Sequence, residues 1–228
     1  MKIKFGAIIT DGRNKIGGHV VSKNRAGNYM KTKSVPTNPN TSFQSEVRAN
    51  VTQLSQQWRT LSDEQRSAWI AAVADFKKTD IFGDLKTPSG FNLFMRLNLN
   101  LLNAGASLIS QPPADLTVTP LTSLSVSSIA AGGDKLLAFL PSPVPVGYAL
   151  VVAASPSMSP GRSFSKTFVN KIVVAPAGTL LEVDMDVSYL AKYGEPVFGK
   201  RVFFSAFLVN LTSGLTSASL SASAIVTN

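Results

Sequence analysis

The strongest constraint on the fold is a change of period at Gln111-Pro112-Pro113. Before this point apolar residues recur at helical spacing. After it they fall in short runs between turn residues. Two adjacent prolines fix φ, remove two backbone donors and push the preceding residue out of the α region. Neither a helix nor a central strand runs through them, so the chain divides here. Its 228 residues suffice for two compact parts, and 44% hydrophobic residues supply cores for both.

In the first part Phe43, Val47, Val51, Leu54 and Trp58 lie three or four apart, which predicts one buried helix face over about five turns. Thr41-Ser42-Phe43-Gln44 has the form of a capping box, Thr41 accepting at the N-cap and Gln44 reaching back. Ser62-Asp63-Glu64-Gln65 repeats the form, with two acids in a first turn where the helix dipole favours them. Trp69, Ala72, Val73 and Phe76 give the second helix its face, so the pair reads as an αα-hairpin. Residues 80–90 read as a loop. Phe91, Phe94, Leu97 and Leu101 mark a third, central helix ending near Gly105, a residue suited to the C′ position. Phe43, Trp58, Trp69 and Phe94 are the expected helical core.

Ahead of these helices the chain is basic and punctuated by glycine and proline. Residues 1–35 carry eight Lys and Arg against Asp11, whereas residues 36–110 and 111–228 each carry seven basic and six acidic side chains. The net charge of +9 therefore sits almost wholly in this arm. Clustered charge of one sign implies an anionic partner, either nucleic acid or an acidic protein surface. Asn24 to Asn28 reads as a hairpin tip. The alternation over residues 29–35 suits a strand added to another sheet's edge. Lys15, Lys23, Arg25, Tyr29, Lys31 and Lys33 are the candidate contact residues, facing carboxylates or DNA phosphates.

Beyond the prolines, strands are expected over 116–119, 124–129, 135–140, 148–154, 167–174, 179–183, 201–210 and 215–226. Turn residues separate them, and residues 186–194 form a short helical crossover. That count suggests a β-sandwich. The pattern of residues 112–228, above all its last two long strands, is similar to fibronectin-type-III-like modules. The expected fold is therefore α+β in two parts: an extended basic arm (1–40) with a small three-helix unit (41–110), then an all-β Ig- or fibronectin-III-like sandwich (111–228).

Several chemistries are excluded or poorly supported. With no cysteine there is no disulfide or thiol chemistry, and His19, the only histidine, has no G-x-S-x-G motif in the sequence to serve and no acid-rich neighbourhood around it. Glu182, Asp184 and Asp186 alternate as if on one strand face, but lack the glycine-containing loop of an EF-hand, so a solvated face is the better reading than a Ca²⁺ site. Residues 12–18 lack the G-K-[ST] ending of a phosphate loop. Read as a helix-turn-helix, the second helix would present acids to DNA. No carboxylate pair of glycosidase type stands out. No run of 18 apolar residues and no signal peptide is visible, so synthesis in the cytoplasm is expected. No catalytic residue, metal or cofactor is assigned.

Four motifs occur in order: G-G-x-V-V-S-x-N-R-x-G-x-Y at residues 17–29, P-x-N-P-x-T-x-x-Q at 36–44, W-R-x-L-S-x-x-Q-R-x-A-W at 58–69 and S-G-F-N-L-F at 89–94. Together they resemble a family found in bacteriophage genomes and prophages, whose members resemble virion structural proteins. The resemblance covers roughly residues 10–110. It implies a non-enzymatic virion protein docking on the capsid, as a decoration or vertex protein, or on the head–tail joint. The implied partners are major capsid or portal and connector proteins, further copies of the chain, and packaged DNA through the arm, with no membrane. The alternative is a nucleic-acid-binding protein using that arm.

Overall fold

The computed structural model describes residues 1–6, 9, 11–126, 129–130, 137–140, 143–165, 170–178 and 181–227, with backbone only at 129–130, 137–139 and 170. The fold is mixed α+β, with four α-helices and several antiparallel sheets among these residues. Strands β1 (Asn14–Ile16), β2 (His19–Asn24) and β3 (Gly27–Thr32) form a small N-terminal sheet in that order. Helices α1 (Ser42–Thr60) and α2 (Asp63–Ala72) follow, then a 3₁₀ turn at Val73–Phe76. A two-stranded hairpin, β4 (Lys78–Thr79) and β5 (Leu85–Lys86), leads into α3 (Gly90–Asn103).

The helical unit forms largely as its pattern dictates. Ser62 and Gln65 complete their capping box. At α1 Thr41 accepts from the Gln44 N–H at 3.3 Å, but the Gln44 Oε1 has no hydrogen-bond partner and does not reach back. Helix α3 ends in the pairing of a Schellman motif, with Gly105 N–H donating to Leu102 O and Ala106 N–H to Leu101 O. Trp69 and Phe94 are fully buried and meet edge to face at 5.4 Å, while Trp58 is half-buried at 5.3 Å from Phe94. Leu54, Leu61, Leu93 and Leu97 complete this core.

Phe43 does not join that core. It is 48% exposed, and Val47 and Val51 are exposed with it. The reason is length. Helix α1 packs through Leu54 and Trp58 on α3 rather than on α2. It spans about 28 Å and α3 about 21 Å by the helical rise, so the N-terminal turns of α1 run past that partner. The Phe43 ring instead receives Lys192 Nζ at 4.9 Å from its centroid.

In the second part β6 (Ser125–Val126), β7 (Ile129–Ala130), β8 (Leu137–Phe139), β9 (Tyr148–Ala154), β10 (Asn170–Ala175), β11 (Glu182–Asp184), α4 (Asp186–Tyr193), β12 (Arg201–Asn210) and β13 (Leu220–Thr227) follow in order. One sheet runs β10-β9-β12-β13-β7, with only β13 and β7 parallel, and a second runs β11-β8-β6. Leu150, Val152, Phe204, Ala206 and Leu208 share a core with Leu140, Val144, Val183, Met185 and Tyr189. Strands β9 and β12 match the expected bounds. Residues 116–119 form no strand, and 215–219 precede β13 as a single bridge at Thr216. The turn expected at 132–133, and the strand starts at 135–136, 167–169 and 179–180, lie outside the described residues. Helix α4 coincides with the short helical crossover expected at 186–194, and it brings the helices to four where the expected fold counted only the three of the helical unit.

The two parts touch. Asn100 Nδ2 donates to Gly214 O at 2.9 Å, and Leu215 packs on the helical core. Gly214 has φ +70°, and a Cβ there would stand 2.4 Å from Leu97 O, so both its conformation and its place under α3 require glycine. Residues 111–113 thus separate two cores without separating two free bodies.

Candidate functional site

Residues 1–40 are not simply extended. The turn Asn24 to Gly27 closes a hairpin, with Asn24 Oδ1 accepting from Ala26 N–H at 2.9 Å. Gly27, at φ +109°, supplies the backbone that this turn needs. Register then sorts the candidate residues. Lys15, Val20 and Lys31 are directly opposed across β1, β2 and β3, and Tyr29 lies two residues from Lys31, so Lys15, Tyr29 and Lys31 share one face. Lys23 belongs to the other face with Val21, the one buried residue of this sheet. Lys33 follows β3, its N–H donating to Gly18 O at 2.8 Å, and every residue from 31 to 40 is exposed.

Strand β3 is not a free edge awaiting another sheet. The chain start lies along it: Lys2 bridges to Tyr29, Ile3 N–H donates to Asn28 O, and Met30 N–H to Met1 O. The available edge is β1, three residues long, and short edges resist pairing with other chains.

Charge pairing thins the predicted set. Lys23 and Arg13 both face Asp11, at 3.7 and 3.6 Å. Lys2 reaches Asp80 at 3.3 Å and Lys4 reaches Asp84 at 3.0 Å, tying the N-terminal sheet to the β4–β5 hairpin. Lys15, Arg25, Lys31 and Lys33 make no ion pair among the described residues. These four, on an exposed sheet and its exposed outlet, are the cations available to a partner.

Sequence reasoning read residues 80–90 as a loop and missed the β4–β5 hairpin. Asp80 organises it: its Oδ1 accepts from Phe82 N–H at 2.8 Å and from Asp84 N–H at 3.2 Å, while Gly83 turns at φ +86°. Asp followed three residues later by Gly is the signal that marked it. Burial pushes the Asp80 carboxyl up, but these hydrogen bonds and Lys2 outweigh it, so its pKa lies below the ordinary carboxylate value. Asn98 was also missed. Fully buried on α3, it donates to Phe94 O and Ile109 O and accepts from Ile109 N–H at 2.8 Å, fixing the segment after the helix.

The acidic alternation resolves differently from a strand face. Glu182 and Asp184 end β11, whereas Asp186 begins α4 and donates its N–H to Asp184 Oδ1 at 2.9 Å. Among the described residues no three Asp, Glu or His side chains gather as a metal cluster. His19 is exposed on β2, opposite Ile16 and Thr32. No family model, curated protein or solved structure matches the chain.

Proposed function

We propose that the chain is a non-enzymatic structural protein of a bacteriophage virion. Its N-terminal sheet and helices dock on acidic surface of the capsid, as a decoration or vertex protein, or on the head–tail joint. The β part is read as an Ig- or fibronectin-III-like sandwich displayed away from the docking face. The single observation that carries the docking role is the exposed sheet with Lys15, Arg25, Lys31 and Lys33 left without internal carboxylates. A charged surface without internal partners steers association and gives little affinity per contact. Many copies on a symmetric particle offset that through avidity. Support for the sandwich is the core shared by residues of the five-stranded and three-stranded sheets. The four ordered motifs support the phage assignment.

The test is incorporation into particles. Deleting residues 1–40 removes the protein from purified particles under this reading. Lys15→Gln, Lys31→Gln and Lys33→Gln together, all at exposed positions, reduce incorporation without loss of folding. Full incorporation of both variants overturns the docking role.

A further inference from the structure

A second basic feature lies outside the open face of the N-terminal sheet. Between the tip of the β2–β3 hairpin, the β4–β5 hairpin and the start of α3 is a cleft of about 470 Å³. Arg25 enters it from the hairpin tip, Lys78 and Lys86 from the two strands, and Arg96 from α3. No carboxylate lines it.

The arrangement is costly as it stands. Lys78 and Lys86 are directly opposed in the β4–β5 ladder, and like charges so placed destabilise a strand pair. Asp84 lies 3.8 Å from Lys86 but 3.0 Å from Lys4, which shares it. Arg96 is half-buried, its guanidinium 5.3 Å from the centre of the Phe76 ring, with no ion pair among the described residues. Burial lowers the Arg96 pKa. Four cations on four separate elements thus converge on one cavity with less than one carboxylate between them. A low-dielectric wall behind such charges concentrates their field on the opening.

We propose that this cleft binds the phosphodiester backbone of a nucleic-acid strand. A single carboxylate neutralises one of the four cations, whereas a strand carries a fixed charge at every nucleotide. Leu85 stands exposed on the cleft wall and offers apolar contact to a sugar. The assignment does not rest on the docking role, since three of its four cations lie outside the N-terminal sheet.

The test uses the full chain and a fluorescein-labelled single strand of about 12 nucleotides, a length within the usual site sizes for such binding. Anisotropy is read at about 50 and about 200 mM salt. Three or four phosphate contacts predict affinity falling roughly twenty- to fifty-fold across that range. Lys78→Gln and Arg25→Gln, both at exposed positions, each weaken binding roughly threefold to tenfold and flatten the salt slope. Lys15→Gln with Lys31→Gln leaves it unchanged. The assignment is overturned by absence of binding at the lower salt. An equal loss from the Lys15 and Lys31 variant overturns it too, because the basic surface then acts as a whole. So does a polyglutamate peptide of matched charge that binds as tightly, because the cleft then receives acidic protein. None of these results bears on particle incorporation, which the Lys15, Lys31 and Lys33 variant reads separately.

Discussion

The N-terminal sheet and the β9–β12 pair at the centre of the five-stranded sheet are both antiparallel ladders, yet they are held in opposite ways. Along β12 Val202, Phe203, Phe204, Ala206, Leu208 and Val209 are buried, and along β9 Ala149 to Val152 and Ala154. In the N-terminal sheet only Val21 is. Backbone hydrogen bonds exchange for water and contribute little net stability. Apolar burial decides which ladder persists. The β9–β12 sheet therefore belongs to the cooperative core, whereas the N-terminal sheet leans on Val21 and on ion pairs to the β4–β5 hairpin. Two short ladders of similar appearance should open at very different free energies.

The largest test of this contrast is Phe204→Ala. Its side chain is fully buried among Leu150, Val152 and Tyr189, and its removal is expected to destabilise the whole chain by about 3–5 kcal/mol. Chemical denaturation monitors the effect as a shift of the main transition. If the transition does not move, the β9–β12 sheet is not the cooperative core.

Gly214→Ala ranks next. It joins the two parts, where an added methyl meets both a left-handed φ and the Leu97 carbonyl. The expected cost is about 2–4 kcal/mol from the two strains together. Trp69 is buried in the helical core, and its Nε1 donates to Ser110 O at 2.9 Å, so its fluorescence reports the helical side. If the parts are coupled, that signal moves with the β transition. Two separated transitions in the unmodified chain would show that the contact at Gly214 carries no coupling.

These positions also show how far the sequence was legible. Strands β9 and β12 could be bounded because a run of apolar residues between Gly147 and Pro156, or between Lys200 and Asn210, admits few alternatives. The helices were legible because their caps are local chemistry: Ser62 with Gln65, and Gly105 past α3. Phe43 was misplaced because periodicity states which residues share a face, and not whether a neighbour is long enough to cover it. Strand β3 was taken for an open edge because nothing local announces that Met1–Ile3 returns to pair with it. The cleft was illegible for the same reason. Arg25 is more than fifty residues from Lys78 in sequence, and it takes the hairpin that Asp80 closes to set Lys78 and Lys86 side by side on one cleft with Arg25 and Arg96.

Val21→Ala tests the weak side of the contrast. Removing two methyl groups at a position 2% exposed costs about 2 kcal/mol, but the loss is expected to be local. Amide exchange over residues 14–32 accelerates roughly thirty-fold for that free energy. The main denaturation transition stays in place. If the global transition shifts by the full amount, the N-terminal sheet folds as one unit with the core and the contrast fails.

The smallest effect is expected at Asp80, and its sign follows from its pKa. The folded carboxyl titrates below its ordinary value because Phe82 N–H, Lys2 and Asp84 N–H favour the ionised form over the opposing cost of burial. Its contribution to stability is therefore fully present above the unfolded carboxylate pKa. That contribution fades as pH falls through the folded value. Asp80→Asn keeps an acceptor for Phe82 N–H and removes the charge that Lys2 faces. The variant should be less stable than the unmodified chain at neutral pH, and the difference should close as the solution is acidified. The readout is amide exchange in residues 1–6 and 78–86, where the Lys2–Asp80 pair ties the chain start to the hairpin. A difference that persists unchanged into acid means that the carboxamide disturbs the turn itself, and that the turn rather than the charge holds the N-terminal sheet against the helical unit.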